Sequence, residues 1–126
     1  MLPDNELMKI QVKKPPRQFK TGVHTQSDCG SIHLEAGEQV TFFTPSGGEC
    51  DFSRTDWGFY ATPSINDRLS NFGIRAAVIQ NKMDKIFVVL VEQEHNTRFE
   101  SYLKDQGSRV LAWLNSDFPD HSQAPS

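Results

Sequence analysis

The chain lacks most of the features that quickly class a protein. It has no apolar run approaching the roughly 18 residues that a membrane-spanning helix needs. It has 2 cysteines, Cys29 and Cys50, too few for the disulfide framework of a small secreted domain. Its first twenty residues carry no apolar h-region of a secretory signal. A basic excess is missing too: Lys and Arg number 13 against 16 Asp and Glu, for a net charge of −3 and a pI near 5.7. Proteins that rely on phosphate contacts show the opposite balance. These absences point to a cytoplasmic protein with reduced thiols and no membrane segment. Nucleic acid ranks last among partners, with the run Lys13-Lys14-Pro15-Pro16-Arg17 as its one conceivable contact.

Reaction motifs are also missing. Gly47-Gly48 is followed by Glu49-Cys50 instead of the Lys-Ser/Thr of a phosphate-binding loop. Ser64 has no G-x-S-x-G setting. Cys50 as a nucleophile would need His24 or His33 as its base. His24, Cys29, His33 and Cys50 match neither C-x2-C nor H-x3-H spacing, so no metal and no cofactor is expected.

What is present is clustered. Hydrophobic residues make up 37% of the chain and mean hydropathy is −0.53, yet they concentrate in the middle, which argues against disorder there. The ends are polar, so residues 1–20 read as a flexible arm and 115–126 as a flexible tail, leaving 21–114 as a single domain. Ser31–Glu35 and Gln39–Thr44 alternate apolar and polar residues around Ala36-Gly37, which predicts a hairpin. Pro45-Ser46-Gly47-Gly48 and Arg54-Thr55-Asp56 are turns that would extend it into a meander through 50–53 and 58–62.

Pro63 and Ser64, with Asp67 three residues on, predict a short helix near 64–72 stopped by Gly73. Ile74–Gln80 and Ile86–Glu92 read as strands, the second as central and covered on both faces. Phe99, Tyr102 and Leu103 are spaced for an amphipathic helix near 94–106, ended by Gly107, with a last strand at 109–114. The fold class is therefore α+β: a mostly antiparallel sheet, a meander that a barrel-like closure would complete, and one packed helix. Strands apolar on both faces also suggest a homodimer or another protein partner.

Chemistry concentrates in Cys50–Asn81, where Trp57, Phe59, Tyr60 and Phe72 stand among charged and amide side chains. Trp57, Tyr60, Asn66, Arg68 and Arg75 are the candidates for binding a small polar ligand, since aromatic planes beside guanidinium donors suit such a site. Asp51, Asp56 and Tyr60 are the candidates for catalysis, either aspartate serving as base and Tyr60 as acid. The competing reading makes Trp57 and Phe59 core residues and pairs both arginines with Asp51, Asp56 or Asp67. No acid, base, nucleophile and metal set converges in the sequence, so a binding or accessory domain leads. A metal-independent enzyme on a sugar or sugar-nucleotide is the alternative.

Two phrases carry resemblances. LEAGEQV resembles the opening of cupin barrels, but TFFTPSGGE follows without the histidines of a cupin metal site. The block DWGFYATPSINDRL is similar to a phrase in small uncharacterised bacterial proteins associated with surface-polysaccharide genes. That resemblance implies a bacterial setting and a sugar-related role.

Overall fold

The computed structural model describes residues 8–22 and 24–115. Its eight strands lie in three open antiparallel-rich sheets, and the helical residues follow in the second half, so the α+β class holds. None of the sheets closes into a barrel. Where the sequence points to one domain over 21–114, the chain divides into two compact units. The first is Met1–Val40 with Phe52–Ala61, the second Thr41–Asp51 with Thr62–Ser126. Among the described residues no helix is long and apolar enough to cross a membrane.

In the first unit, strand β1 (Lys9–Thr21) pairs antiparallel with β2 (His24–His33). Most of the expected arm at 1–20 is thus a strand; residues 1–7 of it, and 116–126 of the expected tail, lie outside the described residues. The polar segment hides its strand character because the ribbon buries little, with Ile10 opposite Ile32 and both exposed. The ladder breaks between Val12 and Arg17, where Pro15 and Pro16 have no N–H to donate. Gly30 faces Val12 across the ribbon with φ of 148°, and a β-carbon there would meet the Gln11 carbonyl oxygen at 2.0 Å. Only glycine fits.

This pairing corrects the predicted hairpin of 31–35 with 39–44. Residues 31–33 belong to β2 and pair with β1, whereas β3 (Gln39–Phe43) pairs with β4 (Glu49–Arg54). The expected meander then follows in the order β3-β4-β5, with β5 at Phe59–Thr62.

The second unit carries the core. Helix α1 is short, Arg68–Asn71, and starts three residues later than a Ser64–Asp67 capping box would set it. The Ser64 hydroxyl instead accepts the Arg68 N–H at 3.2 Å. Strands β6 (Ile74–Gln80), β7 (Ile86–Glu92) and β8 (Arg109–Trp113) form a sheet in the order β7-β6-β8. On one face Ile74 and Ala76 pack with Leu69 of α1, against Ile65, Phe72 and Leu114. Opposite-facing Ala77 is cross-strand partner to Trp113, whose ring meets Phe99 of helix α2 (Asn96–Gln106) edge-on, with centroids 5.8 Å apart. Gly107 ends α2 in the left-handed conformation, φ 64°.

The central strand is β6, not β7 as its hydropathy suggests. Ile86, Phe87, Val88 and Leu90 of β7 are exposed, while β6 buries Ile74, Ala76, Ala77 and Ile79. Hydropathy reports apolar character but not the number of hydrogen-bonded neighbours, and alanines let helices approach β6 closely.

Asn115 closes the unit just past β8. Its side-chain oxygen accepts the Ala76 N–H at 2.7 Å, and its amide nitrogen donates to the Ile65 carbonyl and the Ser70 hydroxyl, each at 2.7 Å.

Candidate functional site

The most exposed aromatic side chains of the first unit gather on the hairpin between β4 and β5. Its turn, Thr55–Gly58, is built by convergence on one carbonyl. The Gly58 oxygen accepts from the Thr55 N–H at 2.8 Å, the Thr55 hydroxyl at 3.0 Å and Arg54 Nη1 at 3.0 Å. Arg54 Nη1 also donates to the Thr55 carbonyl, and its guanidinium lies over the Phe59 ring, 5.6 Å from the centroid. The Arg54 backbone is held in turn, its N–H to the Glu38 carbonyl and its carbonyl to the Gly37 N–H, both at 2.8 Å. A half-buried arginine thus fixes the turn from beneath, and a fixed turn orients what stands on it.

What stands on it faces water. Trp57 is 72% exposed, and Asp56, Phe59 and Tyr60 are exposed beside it. Alternation along β5 sends Phe59 and Tyr60 to opposite faces. The expectation that one of them joins the core is therefore corrected, since both are solvent-facing, as is Trp57. Large rings left exposed cost hydration free energy, and exposed apolar surface on folded proteins marks interaction sites.

The other predicted residues lie elsewhere in the chain. Asp51 is 6% exposed within β4 and takes part in interactions there. Burial, and then the Asp51 charge, push the Cys50 thiol above its ordinary value, opposite to what an activated nucleophile needs. Asn66 is exposed in the turn before α1. Arg68 reaches Glu49 at 3.8 Å and lies 5.9 Å from the Phe72 ring centre, and Arg75 stacks on Trp113 at 4.0 Å. Both arginines are engaged within the second unit. The sequence reading passed over Arg54 as a turn residue. Its signal is position: an arginine closing a strand just ahead of a tight turn can fork onto the turn's carbonyls.

The cysteine and histidine candidates are spread out. His24, Cys29 and His33 all lie on β2, whose extension of ~3.3 Å per residue puts His24 and His33 roughly 30 Å apart along the strand. In the basic run, Lys13 and Arg17 meet Asp28 at 2.5 Å and 3.4 Å. That carboxylate offsets part of the positive charge a phosphate would seek.

Comparison of the chain with protein-family models, with curated proteins and with solved structures finds no match to any of them.

Proposed function

We propose that this chain is a binding or accessory module whose recognition surface is the β4–β5 hairpin, and that its ligand is a saccharide. The observation that carries the reading is Trp57, held at the tip of an Arg54-locked turn with most of its surface in water. The apolar C–H face of a sugar ring packs on an indole plane, and the exposed Asp56 carboxylate and Tyr60 hydroxyl of the same hairpin offer hydrogen bonds for its hydroxyls. The turn is preorganised, so little ordering entropy opposes contact. A solvent-facing Asp56 and Tyr60 suit recognition better than acid–base catalysis, which works best in a site that excludes water.

The test is a nuclear magnetic resonance titration of the full chain with a panel of neutral oligosaccharides, following the Trp57 indole N–H. Saturable shifts are expected for Trp57 and for the backbone of 55–60. They should disappear in Trp57→Ala and weaken at least fivefold in Tyr60→Phe. Shifts that persist in Trp57→Ala, or a panel that moves no signal in the hairpin, would end this reading.

A further inference from the structure

Outside the hairpin, the second unit brings together two carboxylates and an imidazole. Glu92 ends β7, and the chain then bends into a single 3-10 turn, Gln93–His95, before α2. The Gln93 N–H anchors that turn on the Gly73 carbonyl at 2.8 Å. A strand continued through this point would send His95 to the face opposite Glu92 and Glu94. The tight turn instead draws one donor atom from each of Glu92, Glu94 and His95 to within 4.8 Å of one another.

Glu92, half-buried, is positioned from outside the trio. The Ser46 hydroxyl donates to Glu92 Oε2 at 2.7 Å, which leaves Oε1 available. Ser46 Oγ is 3.0 Å from Thr44 Oγ1, and Thr44 Oγ1 accepts the Gly48 N–H at 2.9 Å. The Ser46 proton is committed to Glu92, so the Thr44 hydroxyl donates to Ser46, and a directional relay runs from a backbone amide to the carboxylate. Outer-shell bonds of this kind orient metal-ligating carboxylates. Glu94 and His95, at 3.7 Å from each other, keep their side chains partly in water and free to turn.

We propose that Glu92, Glu94 and His95 bind a zinc-class divalent cation. Two carboxylates match a double positive charge, and an imidazole selects zinc and its neighbours over magnesium and calcium, which take oxygen donors. Bonds of ~2.0–2.1 Å in a tetrahedron set donors roughly 3.3 Å apart. No donor pair need close by more than about 1.5 Å, a rotamer adjustment of Glu94 and His95 around the fixed Glu92. Three protein donors leave a fourth position for water.

The experiment is isothermal titration of zinc chloride into the full chain, with far-ultraviolet circular dichroism of every variant. One zinc per chain is expected. Its affinity should fall at least tenfold in His95→Ala and in Glu92→Gln, and about tenfold in Ser46→Ala through loss of the orienting bond. If Glu92→Gln perturbs folding, the exposed Glu94→Gln carries the same expectation. His33→Ala and Cys29→Ser should bind zinc as the parent chain does. The proposal is overturned if the parent chain shows no saturable zinc binding. It is equally overturned if binding survives in His95→Ala and is lost in His33→Ala or Cys29→Ser.

Discussion

Asn115→Ala removes the side chain that joins the end of β8 to β6 and to the turn before α1. The native amide makes three hydrogen bonds of 2.7 Å, to the Ala76 N–H, the Ile65 carbonyl and the Ser70 hydroxyl. At about 1 kcal/mol for each bond, the loss is ~3 kcal/mol. The Ile65 carbonyl keeps the Ser70 hydroxyl as a donor, at 2.8 Å, but the Ala76 N–H loses its acceptor beside a buried residue. That orphaned donor brings the expected loss to about 3–4 kcal/mol, a large part of a small domain's stability of roughly 5–15 kcal/mol. The assay is urea unfolding followed by Trp113 fluorescence in a Trp57→Phe background, so that the signal reports on the unit holding Asn115. Asn81→Ala is the control. Its side chain accepts two backbone N–H groups, of Met83 at 2.9 Å and Lys85 at 3.0 Å, but at the surface, where water replaces it. It should cost about 1 kcal/mol or less. If Asn115→Ala costs under about 1 kcal/mol, or no more than Asn81→Ala, the bonds in the core do not hold this end of the sheet as argued.

The two thiols should differ in reactivity. Exposed Cys29 is expected to react with iodoacetamide at pH 8 several-fold faster than Cys50, whose thiol is held up by burial and by Asp51, and peptide mass spectrometry reads the order directly. Faster labelling of Cys50 would contradict that environment. Asp28 should titrate below the ordinary carboxylate value of 3.8, first because Lys13 donates to it. A lowered folded-state value means its stabilisation of the β1–β2 ribbon is present above pH 3.8 and is lost as pH falls through the lowered value. Lys13→Met should raise the midpoint seen in the carboxyl-carbon titration of Asp28. An unchanged midpoint would remove Lys13 as the cause.

The second half of the fold was legible from sequence because its signals are local. Runs such as Ile74–Gln80 and Ile86–Glu92 are apolar, and Gly107 marks a helix end through its own backbone freedom. The first half was legible in its turns but not in its pairing. The partner of β2 is a polar, proline-interrupted segment whose one alternating run, Met8, Ile10 and Val12, is short and stays exposed, so Ser31–His33 seemed to belong with Gln39–Phe43. The candidate hairpin was half visible. Its aromatic density stands in the sequence, but which rings face water depends on strand order and burial, and Phe59 looked like core. Glu92, Glu94 and His95 could not be grouped from spacing alone, because their convergence depends on one 3-10 turn at the end of a strand.

The alanines at the centre of β6 set how the chain can vary. Ala76 is 1% exposed and Ala77 is 0% exposed, one on each face of the one strand in its sheet that is paired on both sides. Neither position can accept a larger side chain without displacing a neighbour, and shrinking to glycine weakens the strand. Next to them, Ile86, Val88 and Leu90 stand in water and can exchange for polar residues at little cost to packing. A saturation library would thus show adjacent strands with opposite tolerance, Ala76 and Ala77 of β6 nearly frozen in size and Ile86, Val88 and Leu90 of β7 open to drift. Lineages of this chain would diverge along the sheet edge while the two alanines stayed fixed.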